Sequence, residues 1–135
     1  MGIFKSLLIY SYGMEILIDT SFILSCVKEK VDFTSIKHGR LLLPEQVIKE
    51  LERIKREGER KEGENASLAL QIIEKNKDKF NIFILEKNNV DAGILKYAEG
   101  KSNIAVATID KKLKRQLKGR ARILTLRKRK KIELI

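Results

Sequence analysis

Five short apolar runs, each separated from the next by a stretch with helical periodicity, constrain this chain more than any other feature of its sequence. The runs are Glu15–Ile18, Arg40–Leu43 ending at Pro44, Phe80–Leu85, Ile104–Ile109 and Ala121–Leu126. Each is short for a helix, rich in Ile, Leu or Val, and suited to a strand buried on both faces. Between them, apolar residues recur at helical spacing over Ser21 to Lys30, Glu45 to Glu57, Asn65 to Asn76, Val90 to Glu99 and Lys111 to Lys118. Continuous apolar strands alternating with helices predict an α/β fold with helices on both faces of a mostly parallel, five-stranded sheet. The charged run from Glu57 to Glu64 predicts an exposed connection between two helices. Ile132 to Ile135 can add a last short strand, although no Gly or Asn marks the turn before it.

A chain of 135 residues suits one domain with one core. Met1–Gly13 holds an apolar run shorter than that of a usual signal peptide, with no small-residue cleavage site, and Met14 stands just before the first strand. Residues 1–13 therefore read as an N-terminal extension or an upstream start, and residues 14–135 as the domain. No apolar stretch approaches the roughly 18–20 residues of a membrane span, and no basic helix carries a Trp/Phe-rich face, so a membrane partner is not expected. Cys26 is the single cysteine, which excludes an intrachain disulfide or a cysteine zinc site and suits a cytoplasmic protein.

The formal net charge of +11 points to a polyanionic partner. The excess concentrates at the end: in the basic C-terminal segment 111–135 only Glu133 opposes Lys111, Lys112, Lys114, Arg115, Lys118, Arg120, Arg122, Arg127, Lys128, Arg129, Lys130 and Lys131. Such a cluster reads as an RNA-backbone footprint. No aromatic residue interleaves with it, so shape and charge, rather than base stacking, are the expected basis of recognition.

In an open α/β sheet, ligands bind beyond the carboxyl ends of the strands. Asp19, followed by Thr20 and Ser21, ends the first strand, and Asp110, preceded by Thr108, ends the fourth. Either Asp is also a natural helix cap. Helical phase supplies two more acids. At about 100° per residue, Glu50 falls in the stripe of Val47, Leu51 and Ile54, and Asp91 shares the face of Ile94, Leu95 and Ala98. A carboxylate aimed at a core is costly unless it is paired, protonated or bound to a cation. Four of them converging at one end of a sheet, with no matching buried cation, would raise one another's pKa values or demand a metal ion. Oxygen ligands without a Cys or His cluster favour Mg²⁺ or Mn²⁺. An acidic metal site in a basic protein suits phosphodiester hydrolysis by a metal-activated water.

The order strand-Asp19-Thr20-Ser21, Pro44 with Glu50 and Leu51, Asp91 with Ile94, Leu95 and Ala98, and Ala107-Thr108-Ile109-Asp110 resembles the PIN-domain nucleases from Met14 onward. The resemblance implies a three-layer α/β/α sandwich and metal-dependent endoribonuclease activity. It makes Asp19, Glu50, Asp91 and Asp110 the catalytic, metal-holding quartet, supported by Ser21, Thr20 and Thr108. Accessory acids that many members carry beside the third and fourth are here Ala92, Lys111 and Lys112. The tail resembles archaeal PIN proteins related to ribosomal-RNA-processing nucleases, with Lys111, Lys112, Lys114, Arg115, Arg127, Lys128, Arg129 and Lys130 as its RNA contacts. A role in RNA processing or quality control follows, and homodimers are widespread in the family.

Two other readings share the fold. One is the ribonuclease toxin of a toxin–antitoxin pair, which implies an antitoxin partner. The other is a noncatalytic RNA-binding or assembly module. A phosphoaspartate hydrolase is disfavoured because Asp19-Thr20-Ser21 lacks a second Asp, and no Gly-rich phosphate loop follows a strand. His38, beside Gly39, reads as a surface residue, and Cys26 as core packing.

Overall fold

Every apolar run of the sequence becomes a strand, and the strands assemble about the most apolar pair. The computed structural model describes residues 13–128 and 130–135, so the reading of residues 1–12 and of Arg129 lies outside the described residues. The elements in chain order are β1 (Glu15–Ile18), α1 (Thr20–Lys28), β2 (Arg40–Pro44), α2 (Glu45–Glu57), α3 (Arg60–Lys75), β3 (Phe80–Phe83), α4 (Val90–Ala98), β4 (Ile104–Ala107), α5 (Lys111–Leu117), β5 (Arg122–Arg127) and β6 (Lys131–Leu134).

The strands run in the order β3-β2-β1-β4-β5-β6, all parallel except for the antiparallel β5–β6 pair. β4 is buried along its whole length, and β1 is buried from Ile16 to Ile18. These two strands form the middle of the sheet because residues such as Leu17 and Val106 have no polar face to give to water. Helices α1, α2 and α3 pack on one another, as do α4 and α5. The result is the three-layer α/β/α arrangement, with Phe22, Ile23, Val47 and Leu51 filling one interlayer and Ile94, Ala98, Leu113 and Leu117 the other.

Two expectations change in detail. The sheet has six strands, not five, because the chain reverses after β5 without Gly or Asn. Lys128 takes the left-handed conformation itself, at φ 51°, and the Lys130 amide donates to the Arg127 carbonyl at 3.2 Å. The charged segment expected as a loop from Glu57 to Glu64 is mostly helix, with only Gly58 and Glu59 between α2 and α3. Glu, Lys and Arg are good helix formers, and Arg60 pairs with Glu64 one turn on. Gly58 permits the tight junction, since a Cβ there would lie 2.6 Å from the Ile54 carbonyl oxygen.

Winding from β1 to β3 runs outward on one side of β1, and the return through β4 and β5 runs outward on the other. The crevice between β1 and β4 is thus the switch point where this architecture places its ligands. Register fixes what stands there. Ile18 pairs with Ala107, so Asp19 and Thr108 leave the sheet side by side.

Candidate active site

Asp19 enters the switch point with its backbone fixed, its amide donating to the Ala107 carbonyl at 2.9 Å. Its side chain is only 4% exposed. Oδ2 accepts from Ser21 Oγ at 2.7 Å and from Thr108 Oγ1 at 2.8 Å, so the carboxylate is held in one orientation. Thr108, fully buried, also accepts from the Asp110 amide at 3.1 Å. Asp110 caps α5, its Oδ1 accepting from the Leu113 amide at 3.1 Å. The capping alternative therefore holds for Asp110 in addition to its place at the site. It does not hold for Asp19, which makes no side-chain cap bond.

Glu50 comes from the second turn of α2 and Asp91 from the first turn of α4, where helical phase places them. Both are half-buried, and both face the same cavity. Asp19, Ser21, Glu50, Asn89, Val90, Asp91 and Asp110 line this space of about 220 Å³. All four acids of the expected quartet are thereby brought together at the carboxyl end of the sheet. Burial and neighbouring charge raise the pKa of two of them. Burial pushes the Asp19 carboxyl up, against the hydrogen bonds from Ser21 and Thr108, and the Glu50 charge adds to the rise. Asp91 is likewise raised, first by burial and then by the charges of Asp19 and Asp110, with Lys112 opposing.

Among the described residues, none of the four acids takes part in an ion pair; the pairs that form involve Glu15, Glu45, Glu57, Glu64, Glu74, Glu99 and Glu133. Among the described residues, no Lys or Arg lines the cavity. The lining offers carboxylates and a hydroxyl, without thiol or imidazole, and this hard oxygen donor set fits Mg²⁺ or Mn²⁺. The side chains stand around the space; among the described residues no three of them form a closed chelating group.

The supporting residues divide. Ser21 and Thr108 bond to Asp19 directly. Thr20 is buried, and its hydroxyl has no partner among the described residues. The basic residues divide too. Lys111 and Lys112 are exposed on the first turn of α5, immediately after Asp110, and Arg115 is exposed one turn on. Lys128 and Lys130 are exposed on the β5–β6 turn, at the same end of the sheet as the acids. Lys114 turns inward and donates to Thr125 Oγ1 at 2.8 Å, and Arg127 is engaged by Glu133 at 2.9 Å. Cys26 is fully buried in the core, its thiol pushed up to about 12 by burial, and His38 is exposed.

Sequence reasoning missed two residues. Asn89 lines the cavity and caps α4, its Oδ1 accepting from the Ala92 amide at 2.9 Å. A polar cap residue just before an acid-bearing helix is the signal that could have found it. Gln46 has no such signal. From the first turn of α2 its amide nitrogen donates to the carbonyls of Leu85 at 2.8 Å and Lys87 at 3.2 Å, while its oxygen accepts from the Leu85 amide at 3.0 Å. It thus binds the segment before α4 to the helix that carries Glu50.

The fold and site define an α/β/α domain with four acids gathered at the switch point of a mostly parallel sheet. A family described as PIN like domain matches residues 16–129, and the chain belongs to that family. Among solved structures, the fold is similar to that of the PIN domain endonuclease Utp24, with a TM-score of 0.71 and 24% identity over 89% of this chain and 90% of that one. No curated protein sequence matches the chain.

Proposed function

We propose that the protein is a metal-dependent endoribonuclease that uses Mg²⁺ or Mn²⁺, with RNA processing or quality control as its role. The observation that carries this reading is the convergence of Asp19, Glu50, Asp91 and Asp110 on one cavity without a paired cation among the described residues. Membership of the PIN-like family and the fold shared with an endonuclease support it.

The acids would hold the metal directly or through water. A divalent ion bound there supplies positive charge to a phosphate oxygen and makes water more acidic. The chain's own residues set the frame. Ser21 and Thr108 fix Asp19, and the Leu113 amide orients Asp110, so these two acids need no rearrangement to receive charge. Glu50 and Asp91, borne on helices from opposite faces of the sheet, close the cavity from its two sides. In hydrolysis the water oxygen bonds to phosphorus, one P–O ester bond breaks, and a proton passes to the leaving oxygen. Exposed Lys111, Lys112, Lys128 and Lys130 sit at the same end of the sheet and would attract the flanking phosphates.

The test is cleavage of single-stranded and structured RNA in Mn²⁺, Mg²⁺ or EDTA, beside an Asp19→Asn, Asp110→Asn double variant. Metal-requiring cleavage that vanishes in the variant is the expected result. RNA binding without cleavage in either protein, under all these conditions, would replace this reading with that of a binding module.

A further inference from the structure

We propose that Asn89 is a substrate-binding residue whose side-chain amide donates a hydrogen bond to a phosphate oxygen at the mouth of the acidic cavity. This inference rests on the nuclease reading. It starts from an imbalance in the lining: Asp19, Glu50, Asp91 and Asp110 only accept when ionised, Val90 is apolar, and the Ser21 hydroxyl donates to Asp19. A phosphodiester brings negative charge and acceptor oxygens to a wall of acceptors. Among the described residues, Asn89 is the lining residue whose side-chain amide hydrogens find no partner.

The orientation of that amide is settled by the cap. The Ala92 amide can only be met by an acceptor, so Oδ1 faces the helix, at 2.9 Å, and the NH₂ branch faces away from it. Asn89 is exposed and borders the cavity, so these hydrogens are open to a ligand. Its backbone carbonyl accepts from the Gly93 amide at 2.9 Å, and the segment before it is held too. Gln46 holds the segment from Leu85 to Lys87 with three hydrogen bonds. Leu85 then packs against Gly93, where a Cβ would come within 2.9 Å of it. The donor is therefore preorganised, which is what makes a single hydrogen bond effective at a reacting centre.

The cap also provides a clean experiment, because Ser and Asp cap as well as Asn but carry no amide hydrogens. Asn89→Ser keeps the helix and withdraws the amide NH₂, leaving only a hydroxyl on a shorter side chain held back at the helix end; Asn89→Asp keeps the helix, leaves no side-chain donor when ionised and adds a fifth carboxylate. Melting temperature, Mn²⁺ affinity by calorimetry, RNA affinity by fluorescence anisotropy in Ca²⁺, and kcat/KM in Mn²⁺ would be measured for both variants and the native protein. For Asn89→Ser the expected result is an unchanged melting temperature and Mn²⁺ affinity, with kcat/KM lower by about 10- to 100-fold and weaker RNA binding. Asn89→Asp should weaken RNA binding further while binding Mn²⁺ at least as tightly. RNA affinity and kcat/KM equal to native in Asn89→Ser would overturn the proposal and leave Asn89 a cap alone. A parallel loss of Mn²⁺ affinity would also overturn it, because the residue would then act through the metal. If the native protein cleaves nothing, the nuclease reading fails separately, and the anisotropy comparison still decides whether Asn89 meets the phosphate.

Discussion

Thr108 Oγ1 stands 2.8 Å from Asp19 Oδ2 and accepts from the Asp110 amide at 3.1 Å, so one buried hydroxyl couples the acids at the ends of β1 and β4. The coupling exists because Ile18 and Ala107 are in register and the next residue of each strand leaves the sheet beside the other. Without that hydroxyl, the most buried carboxylate of the site would lose one of its two side-chain donors.

Thr108→Val tests this link, since it keeps the shape and removes the hydroxyl. The Asp110 amide would be left without a partner, and Asp19 with only Ser21. A stability loss of about 1–3 kcal/mol is expected, as for other buried groups stripped of a hydrogen bond. Cleavage should fall as well, and Thr108→Ser should recover most of both. Denaturant unfolding and steady-state kinetics check the prediction. A Val variant as stable and active as the native protein would show that the hydroxyl does not matter.

The raised Asp19 and Asp91 carboxyls predict a pH dependence of definite sign. Both lie above their ordinary value of 3.8, first because burial penalises the charge and then because other acids face them. Between 3.8 and the raised values, the folded protein keeps protons that the unfolded chain has released. The stability these groups contribute is therefore complete below 3.8 and is lost as the pH rises through the folded values. In EDTA, an Asp19→Asn, Asp91→Asn variant should melt higher than the native protein at neutral pH, with the gap closing in acid. Mn²⁺ should raise the native melting temperature at neutral pH and leave the variant nearly unmoved. Melting curves across pH, with and without the ion, decide the matter; a gap that widens in acid would have the wrong sign.

Gln46 predicts an effect at a distance. Gln46→Ala removes three hydrogen bonds from the segment before α4 without touching the cavity. Amide exchange at Leu85 should accelerate, Asp91 should lose its fixed approach to Glu50, and more Mn²⁺ should be needed for half-maximal cleavage. Gly93→Ala should act similarly, because Leu85 Cβ and Cδ1 both lie 2.9 Å from the new methyl. Overpacking of that kind costs typically about 1–3 kcal/mol. Unaltered exchange at Leu85 in Gln46→Ala would show that the loop is held by other means.

Two neighbouring lysines should behave oppositely toward RNA. Lys112 is exposed beside the site and its charge reaches Asp91, whereas Lys114 is half-buried on Thr125. Each phosphate contact on a single strand adds about 0.7 to the slope of log affinity against log salt. Replacing Lys111 and Lys112 with Ala should reduce that slope by about 1.4. Lys114→Met should leave it almost unchanged and act on stability instead. Anisotropy titrations over a salt series distinguish the two, and an equal loss for both would mean that only total charge matters.

The α/β class, the parallel sheet and all four acids of the quartet were legible in the sequence. A strand buried on both faces must be apolar throughout, so Ile16–Ile18 and Ile104–Ala107 announced themselves, and each brought the Asp that follows it. Helical phase then put Glu50 and Asp91 on inward faces, because a 3.6-residue repeat fixes direction without reference to the rest of the fold. The charged start of α3 was misread because Arg60 to Glu64 composes a solvated loop as readily as a solvated helix. β6 was harder to foresee because its turn depends on Lys128 adopting a conformation that Gly or Asn usually supplies.

Periodicity and local chemistry, which act over a few residues, thus determined the elements and the four acids. Tertiary structure decided the contacts across long separations: Thr108 with Asp19, Gln46 with Leu85, Lys114 turned to Thr125, and Asn89 at the cavity. The first two could not be read locally, since a hydrogen bond between residues 39 or 89 positions apart depends on strand order and register. Those are set only when both faces of the sheet are covered at once.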